Sequence, residues 1–365
     1  MLGVLKPDRA IGLSSLDKIT DATYTEVERE FDRLLVTENL DRFLADRSSS
    51  IDRLENTIAH ALDRAYREET EESDRSRLFL QRILYKINRL HLFWYDNLQA
   101  YKNERSIYLQ LLRDRIESAW QEWESKQIDI EAIRKLDVKQ ALQERNERDL
   151  NPEIAENKRF LREEMSFAGY RCLLAIASLD GLVEASRMSR ILGGASNQVQ
   201  ATLIRVLLEE YGNGNLKRKH STFFASMMAE LGLKTEPEAY FEIVPWEVLA
   251  SINHNFLLTE CKRYFLRYNG GLTYFEIAGP SIYEDYRIAA ERLGLSETAM
   301  GYWKLHIQED ERHGRWMLRD VALPLVDMYP EDSWQIVLGY DQEKSMGDRA
   351  GSAVIKAIKQ LESNF

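Results

Sequence analysis

Leu305-His306-Ile307-Gln308-Glu309-Asp310-Glu311-Arg312-His313 is the stretch on which the reading of this chain turns. At about 100° per residue, His306, Asp310 and His313 (i, i+4, i+7) fall within about 60° of one another on one helical face. Two imidazoles and a carboxylate on adjacent turns suit a borderline-to-hard transition metal such as Fe, Mn or Zn better than a thiolate-loving ion. The plainer explanation is a solvated, charged helix face that happens to carry histidines. Against it stands the scarcity of histidine: the chain has six, and three stand where a metal site needs them.

Outward from this helix, composition bounds the answer. A chain of 365 residues with 44% hydrophobic and 30% charged residues is long enough for two or three domains that bury cores without staples. Its net charge of −11 opposes nucleic acid or an anionic membrane surface as main partner unless a basic patch overrides the field, and no such patch stands out. Cys172 and Cys261 are too few for a disulfide framework and fit a reducing compartment. The opening run Met1-Leu-Gly-Val-Leu-Lys-Pro is too short for a signal peptide, and the longest later apolar run, Cys172 to Leu179, stops at Asp180. A cytoplasmic protein without a membrane span is expected.

Glycine and proline are absent between Gly12 and Pro152, whereas 16 of the 18 glycines and six of the seven prolines follow. Residues 1–150 carry 25 Lys+Arg and 30 Asp+Glu, a far denser charge than the remainder. Within them Leu80, Ile83, Leu84, Ile87, Leu90, Trp94, Leu98 and Tyr101 recur at three- and four-residue steps, followed by Tyr108, Leu111, Leu112, Ile116 and Trp120. This predicts an N-terminal helical domain over residues 1–155 that packs or oligomerises, and with it a homodimer. His60 and His91 have no second ligand type at fitting spacing and read as structural. Residues 156–365 form the second expected domain. Breaks at Gly193-Gly194, Gly212 to Asn215, Gly232 to Pro237, Pro245, Gly270-Gly271, Gly279-Pro280 and Gly294 leave room for helices of about 12 to 25 residues, with no strand-like alternation. An all-α protein follows.

Two upstream segments bear on the metal. Glu210 and His220 on one unbroken helix would stand about 15 Å apart in rise. The intervening Gly212-Asn213-Gly214-Asn215 allows the chain to jog, although a glycine at a helix C-terminus is also an ordinary cap. Glu276, flanked by Phe275 and Ile277, is a carboxylate that is costly to bury unless paired or ligated.

The order Glu210, His220, Glu276, then His306-x3-Asp310-x2-His313 resembles the heme-oxygenase-like diiron oxidases and oxygenases, the iron-containing redox enzyme family, over residues 160–330. The resemblance implies a heme-oxygenase-like helical bundle in which Glu210, His220, Glu276, His306, Asp310 and His313 form a complete ligand set for two nonheme irons. Members that oxygenate nitrogen are similar in having one further carboxylate on an earlier helix. Glu184 stands near that place, with Asp180 one turn away competing for the role. The implied reaction uses O2 as cosubstrate to oxidise a small molecule bearing an amine or a carboxylate, by N-oxygenation, oxidative decarboxylation or C–C cleavage. The ligands themselves agree, because carboxylates supply the anionic charge that oxidised iron needs while leaving coordination positions open. Ferritin-like diiron proteins use two Glu-x-x-His motifs, and this chain has none. The competing expectation is a non-catalytic or metal-independent binding or regulatory module of the same fold.

Overall fold

The computed structural model describes residues 21–46, 51–67 and 69–363, so the opening run Met1 to Pro7 lies outside the described residues. The chain divides into two compact units, one ending at Trp120 and the other beginning at Gln121. No β-strand occurs among the described residues, and none of their helices is long and apolar enough to cross a membrane.

In the first unit α1 (Asp21–Leu35), α2 (Leu40–Asp46), α3 (Asp52–Ala65) and α4 (Glu71–Arg89) lead to α5 (Ile107–Ser125), within which the two units divide. Val27, Phe31, Leu54, Ile58, Leu80, Ile83 and Leu84 are fully enclosed, as helical periodicity requires. The same periodicity predicts a helix continuing through Trp94, Leu98 and Tyr101, but the chain leaves α4 near Leu90. Local polar bonds win there: the Tyr101 hydroxyl donates to Asp96 at 2.6 Å and accepts from Arg89 at 2.9 Å, while Leu98 is left 71% exposed.

The second unit comprises α6 (Ile130–Ile133), α7 (Val138–Leu150), α8 (Glu156–Arg159), α9 (Phe167–Gly181), α10 (Gln198–Glu210), α11 (His220–Glu230), α12 (Trp246–Glu260), α13 (Phe265–Arg292), α14 (Glu297–Trp316), α15 (Leu323–Met328) and α16 (Trp334–Glu362). Short polar residues start several of them: Asp137, Ser166, Asn197 and Ser296 each accept the backbone N–H three residues on. The compact unit thus begins some 35 residues before the composition break near 155. Glycine and proline content marks where turns begin, whereas burial decides membership. Ile133, Ala141 and Leu142 lie in the same apolar cluster as Val321 and Ile336.

Two expected breaks are not breaks, for α13 runs through Gly270-Gly271 and through Gly279-Pro280. These glycines mark close approach. A Cβ on Gly270 would stand 1.9 Å from the Ile336 carbonyl oxygen, and one on Gly339 would stand 1.9 Å from that of Arg267, so α13 and α16 meet backbone to backbone. A Cβ on Gly279 would stand 2.9 Å from Asp310 Oδ2, and one on Gly314 3.0 Å from the Glu276 carbonyl oxygen, which seats α13 equally close to α14. Pro280 has no N–H to offer the Glu276 carbonyl four residues back.

Along α14, Trp303 belongs to an apolar cluster with Tyr170, Phe224 and Met227, and Met317 just beyond it belongs to the cluster around Leu203 and Val337. His306, Asp310 and His313 fall between the two clusters and are buried.

Candidate metal centre

Four elements converge on α14. Glu184 lies just beyond α9, ahead of Ala185, whose φ of 60° places a non-glycine residue in the left-handed region and turns the chain sharply. Glu210 ends α10. After it Gly212, Asn213 and Gly214 all have positive φ, and a Cβ on Gly212 would stand 2.5 Å from the Arg218 carbonyl carbon. This tight reversal returns the chain to His220 at the start of α11, where His220 Nδ1 lies 2.8 Å from Glu210 Oε2. The jog allowed by Gly-Asn-Gly-Asn therefore does bring the pair together. Glu276 comes from α13.

The three imidazoles are arranged alike: each turns one nitrogen inward and gives the other to a fixed acceptor. His306 Nδ1 meets the Tyr302 carbonyl at 2.9 Å, leaving Nε2 3.0 Å from Glu184 Oε1 and 3.0 Å from His220 Nδ1. His220 Nε2 meets Glu309 at 3.1 Å. His313 Nε2 meets Glu209 at 2.8 Å, and Glu209 also accepts from Arg312 at 2.6 Å. Inward, His313 Nδ1 faces Glu276 at 3.3 Å, Glu210 at 3.6 Å and Asp310 at 3.8 Å. It forms a hydrogen bond with none of them. Fixing the tautomer and ring orientation through an outer acceptor is the usual arrangement around a metal-bound imidazole.

The inward atoms fall into two ion-sized groups, Glu184, Glu210, His220 and His306 in one and Glu210, Asp310 and His313 in the other, with Glu210 common to both. Glu209, Glu309 and His313 make a third such group, but its two carboxylates already act as the outer acceptors of imidazole N–H groups. Inside the first two groups Glu184 Oε2, both Asp310 carboxylate oxygens and His313 Nδ1 are buried without a hydrogen-bond partner. Buried polar atoms left bare cost roughly 1–3 kcal/mol each, more when charged, and they are the atoms a cation between these residues would satisfy. An all-nitrogen-and-oxygen donor set fits iron.

The electrostatics carry the same message. Burial drives Asp310 well above the usual carboxylate range, reinforced by the negative Glu276, Glu210 and Glu184. Burial likewise raises Glu276. It also opposes charge on the imidazoles, yet hydrogen bonds to Glu210 and Glu309 push His220 up to about 10, and Glu276 with Glu210 pushes His313 up to about 9. For Glu184 burial is outweighed by the His306 cation, which carries it below the ordinary value. Glu184, Glu210 and Glu276 hold protons on neighbouring imidazoles, so the cluster calls for positive charge.

Of the residues expected from sequence, Glu184, Glu210, His220, Glu276, His306, Asp310 and His313 all meet here. Asp180 instead pairs with Arg187. His254 sits buried within α12, its Nδ1 3.4 Å from Gln121 Nε2. Sequence reasoning missed Glu209 as a partner of His313 and Glu309 as a partner of His220. It also missed Tyr302, whose hydroxyl donates to Glu184 Oε1 at 2.6 Å. Beside the centre lies a cavity of ≈ 150 Å³ whose wall includes Glu184, Glu276, His306 and Asp310.

A helical bundle with a buried carboxylate and histidine cluster of this kind has the donors to hold a metal ion. Residues 172–343 match the family described as iron-containing redox enzyme, and the all-α architecture of the described residues is consistent with its heme-oxygenase-like fold. The chain is also 30% identical over 154 residues, 41% of its length, to the nitrosourea synthase of Streptomyces achromogenes subsp. streptozoticus. The match spans about a third of that relative, 32% of its length.

Proposed function

We propose that the chain is a nonheme diiron oxidoreductase that uses O2 to oxidise a small organic molecule bearing an amine or a carboxylate. The observation that carries this reading is Glu210, which offers one oxygen to each of two ion-sized groups. In this reading Glu184, Glu210, His220 and His306 would hold one iron, and Glu210, Asp310 and His313, with Glu276 3.3 Å from His313 Nδ1, would hold the other. When bound, the pair supplies the redox and Lewis-acid chemistry of O2 activation.

The chain's own groups set up that chemistry. Glu184 Oε1 is already engaged by the Tyr302 hydroxyl, so Oε2, which accepts nothing, is the oxygen left to a metal. Tyr302 keeps its proton, because burial and the Glu184 charge raise its pKa well above the ordinary phenol value. The Tyr302 carbonyl, Glu309 and Glu209 hold the outer imidazole protons and so keep the inner nitrogens unprotonated once the site is filled. Among the expected reactions, oxidation at nitrogen is supported by the likeness to a nitrosourea synthase, since a nitrosourea carries a nitroso group on nitrogen. The fourth inner carboxylate, Glu184, points the same way. A retired binding module would have no reason to keep bare buried oxygens on Asp310.

Protein loaded anaerobically with Fe(II) is expected to hold close to two irons per chain and to consume O2. A stoichiometry of zero, or tight heme binding instead, overturns the reading. No described residue of the first unit is among those of the metal-sized groups, and we propose that this unit makes the protein a homodimer. Support comes from Phe93, Tyr95, Leu98, Ile107 and Leu111, large apolar side chains left on its surface, Tyr95 being 92% exposed. Light scattering that gives a strict monomer at micromolar concentration removes that role.

A further inference from the structure

The cavity beside the centre has a second chemistry on the wall contributed by α16. Four of its carboxylates, Glu184, Glu210, Glu276 and Asp310, belong to the centre, where metal charge would answer them. Two do not: Asp180 and Glu343. Arg187, the one guanidinium or ammonium on the wall among the described residues, gives one nitrogen to Asp180 and Nε to Asn255 at 2.7 Å. Glu343 makes no hydrogen bond or ion pair with any described residue. Its carboxylate lies along the α13 backbone, with Oε2 3.3 Å from where a Cβ on Gly271 would be. Burial, with negative Asp180 nearby, pushes its pKa up to about 7 against the opposing pull of Arg187. The wall also carries the apolar Met188, Leu258 and Leu272 beside the polar Ser251 and Asn255, and an unanswered carboxylate in such a cavity is costly unless something brings a counter-charge.

We propose that Glu343 is the recognition residue for a cationic nitrogen group, so that the cavity takes a small molecule carrying an ammonium or guanidinium at the end held by Glu343. Its aliphatic body lies along the apolar wall, and its reacting end faces Glu184 and His306. The inference rests on the oxidoreductase reading for the ligand's fate but not for its binding. Size limits the ligand, for a cavity of ≈ 150 Å³ is comparable to one that holds a benzene ring. A substrate recognised through a carboxylate alone finds no uncommitted cation on this wall.

Calorimetric titration of the full-length protein at neutral pH, with and without anaerobic Fe(II), tests this with three probes of one length: n-pentylammonium, pentan-1-ol and hexanoate. Wild type is expected to bind the ammonium at least ~10-fold tighter than the alcohol, with hexanoate weakest. Glu343→Gln should abolish that preference and Glu343→Asp should keep it. The Gln variant removes a half-buried charge that no described residue answers, without changing shape, so its thermal midpoint should equal or exceed that of wild type. Ammonium preference that survives in Glu343→Gln, or hexanoate as the best ligand, overturns the proposal. Iron counted on the same samples separates the two readings. Glu343-dependent preference in a protein that takes no iron removes the diiron reading and leaves this one standing, whereas two irons without preference does the reverse.

Discussion

Each imidazole of the centre has two nitrogens, and its outer neighbour decides which one a metal receives. Glu209 and Glu309 therefore matter although neither faces the inner cluster. Glu209→Gln is expected to weaken iron at the His313 position by ~10–100-fold and Glu309→Gln to do the same at the His220 position, with helix content unchanged. Chelator competition reads both, and wild-type retention in both variants excludes the outer-acceptor role. Glu184→Ala should cost the iron at His220 and His306 while Asp180→Ala leaves iron content intact, because Asp180 is committed to Arg187. If Asp180→Ala instead lost the iron, the carboxylate would be assigned one turn out. Of the inner residues, His306, Asp310 and His313 were legible because helical period puts them on one face, whereas Glu184, Glu210, His220 and Glu276 were joined to them only by the family resemblance. Glu209 and Glu309 were not legible, since each serves an imidazole on another helix, and only tertiary placement distinguishes such a carboxylate from a solvated one.

The helices themselves were legible where their boundaries are local chemistry and misread where the same residues serve packing. Gly193-Gly194, Gly212 to Asn215 and Gly294 do interrupt helices, with positive φ at Gly194, Gly212, Gly214 and Gly294. Gly270 and Gly279 sit inside α13 because a neighbouring helix leaves no room for a side chain, a requirement that lies in another part of the sequence. Gly270→Ala should then destabilise the second unit by about 1–3 kcal/mol or more, since a Cβ 1.9 Å from a carbonyl oxygen forces backbone to move. Gly193→Ala is the matched control, with nothing within 4 Å of its added methyl. Urea midpoints compare the two, and equal midpoints would show that α13 and α16 separate without penalty.

Over the whole molecule, the proposed centre would couple folding to pH and metal. Without metal, His220 and His313 titrate near 10 and 9 in the folded chain, above about 6.5 when unfolded. A raised pKa means that the folded state binds its proton more tightly, so the stabilisation is full below about pH 6.5 and is lost as pH rises through 9 and 10. Asp310 and Glu276, also raised, act in the same direction from the carboxylate range upward. Glu184, lowered, acts oppositely, and its share is lost only in acid. Metal-free protein should therefore lose thermal stability between pH 7 and 10. Metal binding displaces those imidazole protons, so iron affinity should climb across the same window. The gap in thermal midpoint between Fe(II)-loaded and metal-free protein, measured anaerobically, is expected to widen from pH 6.5 to 9. A gap that stays constant would mean that the imidazoles do not exchange protons for metal, and that iron, if bound, sits elsewhere than among His220, His306 and His313.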